Sequence, residues 1–353
     1  MTQHIPLARL SHVFRIADYL QQVGFSATSL MDRHCIPQRC ERRQGGFVTS
    51  FSAARFIKDA TYQTGIYDCM LKAGLHGRTY GFYAKEINSV GSYTTLKEYL
   101  HSLCSNMVKE SSYVQVSMRY ENSLDGKVNI VLVISDSSQS RIPQTELYTL
   151  GILLGAVREY LGWPFKPARV YLQENHVGKD VINVNFEDGQ VYYDAKFTGF
   201  EVPLPLLGSR PANGKPHEII YNGEECPSRE FVDSLRQFMK SYVGMNIFTV
   251  GMAAEHSFMS VRTLQRKLAA RETNFKRLYN QARFEVSRTL LLETDLPVAD
   301  IAHDVGYADP TCFTHFFRTL TGMSPRAFRK EGRLQEVVRA DPSQGALTQE
   351  RSL

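Results

Sequence analysis

Apolar positions recur every three or four residues over Val13, Ile16, Ala17 and Leu20, which predicts a helix across Ser11–Val23 closed by Gly24. The same period predicts helices over Phe51–Tyr62 and Thr95–Val108, the latter with Leu96, Tyr99, Leu100 and Leu103 on one face. The period then changes to two. Val114, Val116, Met118 and Tyr120 alternate within Tyr113–Tyr120, a β-branched run follows at Val128–Ile134, and Asp125-Gly126 between them predicts a hairpin. Thr145–Leu161 returns to helical spacing, Pro164 and Pro167 interrupt it, and Arg169–Gln173 reads as a strand. Val181–Phe186 and Gln190–Tyr193 flank Asp188-Gly189 as a second hairpin. Helices mixed with hairpins in this order predict an α+β domain over 1–206. The Gly, Pro and Asn residues crowded into Leu207–Pro227 predict a linker. Beyond it, 228–333 reads as all-α, and the polar residues 334–353 read as a disordered tail.

The all-α region carries the same pattern twice. Val298, Ile301, Ala302 and Val305 form an apolar stripe whose small Ala302 lets a second helix cross closely. Gly306 supplies the positive φ of a sharp turn, Asp309 caps the next helix, and Pro310 suits that helix's first position. Phe313, Phe316 and Phe317 then face inward, while Thr311, Thr314, His315 and Arg318 face outward. The earlier copy is less regular. Val250, Ala253 and Ala254 match Val298, Ile301 and Ala302; Ser260 takes the cap, and Leu264 and Leu268 point inward. Val261, Arg262, Gln265 and Arg266 fall on the outer face, where Arg and Gln suit bidentate contacts with guanine and adenine edges in a major groove. Phe258 occupies the turn position that Gly306 fills later, which predicts a different turn conformation in the first copy. Phe275, Leu278, Ala282, Val286 and Leu290 predict one long helix between the copies, from about Asn274 to Leu292. About 18 residues of helix span about 27 Å, close to the roughly 34 Å between successive major grooves on one side of a duplex. Each copy alone is also compatible with amphipathic helices in a bundle. The repetition of caps, small residues and inward positions favours two helix-turn-helix units.

Composition adds one asymmetry. Of the 353 residues, 228–333 hold 16 Lys+Arg against 11 Asp+Glu, while 1–227 hold 23 against 22, so the net charge of +5 sits with the repeated units. The apolar stretches Val128–Ile134 and Leu150–Val157 are too short to span a bilayer, and Met1–Leu10 has no leader pattern. Six scattered cysteines suit free thiols, and the Cys35/Cys40 pair lacks the partners of a zinc site, so no metal is expected. His76, His101, Cys104 and His176 follow no catalytic spacing, and neither a phosphate loop nor a nucleophile elbow occurs; no catalytic residue and no cofactor are expected. The aromatics Tyr80, Phe82, Tyr83, Tyr93, Tyr192, Tyr193, Phe197 and Phe200 read as ordinary core rather than as a pocket lining.

From about Ser228 to Lys330 the chain resembles the DNA-binding domain of the AraC/XylS family of bacterial transcription regulators. The resemblance rests on Ser260-Val-Arg-Thr-Leu-Gln-Arg-Lys-Leu268 and on the run from Asp300 to Pro325. It implies a seven-helix domain with two helix-turn-helix units that binds promoter DNA and usually activates transcription. His315 stands where many members carry Arg, so base preference there does not transfer. Through Thr145–Leu161, Pro167-Ala-Arg-Val-Tyr-Leu172, Val184-Asn-Phe186 and Pro203-Leu-Pro-Leu206, the front region resembles the regulatory domain of the branch that includes ornithine-utilisation and virulence regulators. That resemblance implies effector sensing or oligomerisation. The expectation is therefore an α+β regulatory domain followed by an all-α DNA-binding domain, in a cytoplasmic protein. Its expected partners are double-stranded promoter DNA, RNA polymerase, a small-molecule effector of unknown identity and a second copy in a homodimer, with no membrane. The competing expectation is a front domain that only dimerises or contacts protein.

Overall fold

The computed structural model of the protein describes residues 4–38, 46–76, 89–122, 128–162, 165–173, 186, 190–212, 217–220, 225–245 and 247–340. Contacts divide the chain into two units, Met1–Ser234 and Leu235–Leu353.

The front unit begins with strand β1 (Leu7–Arg9), helix α1 (Ser11–Gln22), helix α2 (Thr28–Arg33), strand β2 (Phe47–Thr49), helix α3 (Ser50–Thr64) and helix α4 (Cys69–Leu75). Strand β3 (Ser89–Tyr93), helix α5 (Leu96–Glu110), strands β4 (Val114–Asn122) and β5 (Val128–Asp136), and helix α6 (Pro143–Leu161) follow. Then come β6 (Arg169–Tyr171), β7 (Gln190–Tyr192), β8 (Thr198–Pro203), a short 3-10 turn and β9 (His217–Ile220). The mixed composition read from the sequence is thus an α+β unit. Its main sheet has the order β4-β5-β8-β6-β7, antiparallel except for the β6–β7 pair.

The caps follow local chemistry. Thr95 accepts from the Glu98 N–H while Glu98 accepts from the Thr95 N–H, a reciprocal box at the start of α5. Pro143 sits in the first turn of α6, and Gly65 ends α3 in the left-handed region. The core forms where α4 and α6 cross. Gly74 and Gly151 bring the two backbones together, because a Cβ on either would collide with the carbonyl of Tyr148 or Leu71. Tyr99 and Tyr160, both fully buried, stack with ring centroids 5.0 Å apart. On the sheet, the buried Glu201 accepts from Tyr171 at 2.6 Å and Asn129 at 2.7 Å and pairs with Arg169 at 3.4 Å.

Several expectations meet this structure differently. The helices at Thr28–Arg33 and Cys69–Leu75 have no counterpart in the sequence pattern, because each is too short to show a period. The span read as a linker contains β9, which pairs antiparallel with β3. β7 pairs in parallel with β6, while the turns Asp125-Gly126 and Asp188-Gly189 and most of Val181–Phe186 lie outside the described residues. Phe200 is fully buried in the core and Tyr93 and Tyr193 pack against it, whereas Tyr192 and Phe197 are only half-buried and stand against Tyr171 at 5.4 and 5.0 Å, apart from that core; Tyr80, Phe82 and Tyr83 lie outside the described residues.

The second unit is helical. Its helices are α7 (Phe231–Ser241, which straddles the division between units), α8 (Val250–His256), α9 (Val261–Ala269), α10 (Phe275–Glu293), α11 (Val298–Asp304), α12 (Pro310–Thr321) and α13 (Pro325–Ala340). Among the described residues these are seven helices, the number the resemblance implies. α13 corrects one boundary: it continues past Arg333 to Ala340, where Leu334, Val337 and Val338 keep helical spacing in the sequence. One aromatic cluster joins Phe238, Tyr242, Phe248, His256, Phe275 and Tyr279. Another joins Phe284, Tyr307, Phe313, Phe316, Phe317 and Phe328. α10 contributes to both and is the spine of the unit. Among the described residues, no helix is long and apolar enough to cross a membrane.

Candidate nucleic-acid interface

Two pairs of short helices, α8–α9 and α11–α12, each joined by a tight turn, precede and follow α10. In the first, Thr249 caps α8 by accepting from the Met252 N–H at 3.2 Å, and Ser260 caps α9 by accepting from the Thr263 N–H at 3.2 Å. In the second, Asp309 caps α12 by accepting from the Thr311 N–H at 2.8 Å. That N–H holds the Asp309 carboxyl below its ordinary value.

The turns of the two pairs are the same, which overturns the expectation for Phe258. Phe258 has φ 55° and Gly306 has φ 84°. The Phe258 N–H donates to the Glu255 carbonyl at 3.0 Å and that of Met259 to Ala254 at 2.9 Å. Likewise the Gly306 N–H donates to His303 at 2.9 Å and that of Tyr307 to Ala302 at 2.8 Å. The first copy therefore keeps the left-handed turn and places in it a side chain that disfavours the conformation.

The inward positions are fully or nearly fully buried: Ala253, Ala254, Leu264 and Leu268 in the first pair, Ile301, Ala302, Val305, Phe313 and Phe317 in the second. Phe316, expected inward, is half-buried against Tyr307 at 5.5 Å. The outward positions separate more sharply. Val261, Arg262, Gln265 and Arg266 on α9, and Thr311, His315 and Arg318 on α12, are exposed. Among the described residues, the side chains of Arg262, Gln265, Arg266, His315 and Arg318 hold no hydrogen bond or ion pair. Thr314 differs, being half-buried with its hydroxyl donating to the Pro310 carbonyl at 2.9 Å. Exposed guanidinium and amide groups, left unengaged on capped helices, are suited to reach base edges or phosphates.

Sequence reasoning missed the residues that orient the second pair. Arg283, on α10, donates from Nε to the Val305 carbonyl at 2.9 Å and from Nη2 to the Gly306 carbonyl at 2.8 Å, and its guanidinium lies 3.9 Å from the Tyr307 ring centroid. It thereby grips the turn between α11 and α12. Arg329, on α13, donates to the Leu291 carbonyl at 2.9 Å and the Leu296 carbonyl at 2.7 Å, closing the end of α10. Nothing in their sequence context distinguishes these arginines from solvated ones.

The residues weighed for catalysis have other environments. His76 packs on Tyr19 at 5.6 Å, His101 faces Ser105, and burial pushes the Cys104 thiol up to about 11, away from a reactive thiolate. His176 and Cys40 lie outside the described residues.

Residues 253–331 match the family model described as a helix-turn-helix domain. The chain is 39% identical over 83 residues to the transcriptional activator NphR of Rhodococcus sp, covering 24% of this chain and 25% of that relative. The match thus spans about a quarter of that relative's length. The HTH-type transcriptional regulator VirS of Mycobacterium tuberculosis is 21% identical over 344 residues, covering 92% of this chain and 97% of that protein. Among solved structures, the transcriptional regulator CdpR from Pseudomonas aeruginosa aligns with a TM-score of 0.36 and 18% identity over 91% of this chain and 98% of that one. Residues 253–331 are thus a helix-turn-helix domain, and both curated relatives are named as transcriptional regulators.

Proposed function

We propose that the protein is a sequence-specific transcription regulator of the AraC type, in which α9 and α12 each enter a major groove of the same duplex. The observation that carries this reading is the pair of capped helices with unengaged outward side chains, placed before and after one 19-residue helix. At about 1.5 Å per residue, the 19 residues of α10 are in range of the one-turn spacing between successive grooves. Arg262, Gln265 and Arg266 read bases, joined by Thr311 and His315, with Thr314 as the weaker reader; Arg318 contacts phosphate. Promoter DNA and RNA polymerase are the partners, and activation is the sign that NphR's name supports. The front region, 1–206, is the regulatory domain of the ornithine-utilisation and virulence-regulator branch. It senses a small molecule and transmits its presence to 228–333. Self-association through the front region remains the competing role.

The test separates the two regions. Residues 225–333, purified alone, should fold by circular dichroism and shift duplex DNA, with affinity falling steeply as added salt weakens the drive from counterion release. A folded fragment without a salt-sensitive shift contradicts the reading. An effector response that survives removal of residues 1–220 contradicts the sensor.

A further inference from the structure

The turn of the first helix pair carries an apolar tip that the second lacks. Phe258 is 40% exposed, and Val261, the first residue of α9, is 38% exposed. Met259, between them, is half-buried. Phe258 holds φ 55°, in the left-handed region that disfavours a Cβ, where the second pair has Gly306. A large ring is thus presented to solvent from a strained position, and residues held in such conformations cluster at ligand clamps and switch regions. In the second pair the corresponding places hold Gly306, which has no side chain, Tyr307, which lies under the Arg283 guanidinium, and Pro310, which is half-buried.

The place of this tip restricts what it can meet. Ser260 caps α9 by accepting from the Thr263 N–H, so the tip stands at the N-terminal end of that helix. In a helix-turn-helix unit, the N-terminal residues of the second helix are those that contact base edges. Arg262 and, one turn further on, Arg266 are exposed, so the apolar tip adjoins cationic groups suited to DNA. Single exposed hydrophobic residues are ordinary on a protein surface. Two of them at the groove-entering end of a basic helix have a specific counterpart, because the apolar group that base pairs present in the major groove is the C5-methyl of thymine.

We propose that Phe258, with Val261 beside it, packs on the C5-methyl of a thymine, so that the first pair reads a methyl group in addition to the hydrogen-bonding edges read by Arg262, Gln265 and Arg266. The assignment rests on the reading of α9 as a helix that enters a major groove. It adds a specificity-determining residue that lies in the turn, outside that helix, and it makes the two halves of the DNA site unlike, since Gly306 offers no such contact.

The test uses the full chain and a duplex site that it selects from random sequences. Each thymidine of that site is replaced singly by deoxyuridine, which removes the methyl group and leaves every hydrogen-bonding edge in place. Affinities are measured at fixed salt for the parent, Phe258→Gly and Phe258→Asn. Glycine and asparagine both accept a positive φ, so the turn is kept, and two different replacements separate loss of the ring from added flexibility. The expected result is one deoxyuridine, in one half of the site, that weakens the parent by about three- to fivefold, the scale of burying one methyl group. Both variants should bind the unsubstituted site more weakly by a similar factor and be indifferent to that deoxyuridine. A parent insensitive to every deoxyuridine, or a sensitivity that survives in both variants, overturns the methyl contact alone; the second result with DNA affinity unchanged leaves the tip to a protein partner. A parent that selects no site overturns the function proposed above and this contact with it.

Discussion

Phe258 and Gly306 hold equivalent turns with positive φ, 55° and 84°, but only one of them lacks a Cβ. The left-handed region costs an L side chain about 1–2 kcal/mol, so the first turn is strained and the second is not. Phe258→Gly removes that strain at the expense of a more flexible unfolded chain, and the two effects nearly offset. Gly306→Ala acts in one direction only, since its Cβ would stand 3.2 Å from Gly244 Cα and 3.4 Å from the Arg283 guanidinium. Denaturant unfolding of the 225–333 fragment should therefore show Phe258→Gly within about 1 kcal/mol of the parent and Gly306→Ala destabilised by about 1–3 kcal/mol. Equal losses at both sites would mean that the shared turn is not held as described. The sequence made Gly306 legible through its preference for positive φ. It misled at Phe258, because tertiary packing overrides a local preference of this size. A second expectation at this scale concerns acidity. His34 is nearly fully buried and bonded to Asp59 at 3.0 Å, and burial lowers its pKa despite that carboxylate. A histidine with a lowered folded value contributes stability above its unfolded value of about 6.5, and loses it as pH falls. The melting temperature of the full chain should drop between about pH 7 and 5.5, and His34→Gln should flatten that slope; an unchanged slope contradicts the assignment.

Among the elements, those with an uninterrupted period were legible. α1, α3, α5, α6 and α10 each carry enough turns for their apolar stripe to stand out, and Thr95, Ser260, Asn274 and Asp309 mark starts through side chains that accept the first free N–H groups. The short elements were not legible, because α2, α4 and β9 owe their form to partners far along the chain. The grip of Arg283 on the second turn was invisible for the same reason: its acceptors are backbone carbonyls 22 and 23 residues away, and any sequence supplies those. Its consequence can be measured. Arg283→Leu keeps the stem of the side chain but releases the turn from α10. It should lower affinity for duplex DNA at least tenfold while the fragment stays helical, and Arg283→Lys should recover only a fraction of that loss, since one ammonium cannot reach both carbonyls in the same plane. Affinity unchanged in Arg283→Leu would show that the grip does not orient α12.

Across the whole molecule, charge and architecture are divided in the same way: the excess of Lys+Arg lies in the helical region, and the front unit is close to neutral. The charge difference and the repeated motif were readable from the chain. The central claim is that α9 and α12 read DNA through their outward side chains. The most direct test selects a binding site from random duplexes with the full chain. It then measures the affinity of the parent, Arg266→Ala and Arg318→Ala for that site and for each of its single-base variants at fixed salt. The account predicts that Arg266→Ala loses about 1–3 kcal/mol on the selected site and relaxes preference at one base position, while Arg318→Ala weakens every sequence alike. An Arg266→Ala protein with unchanged affinity and unchanged base preference would contradict it.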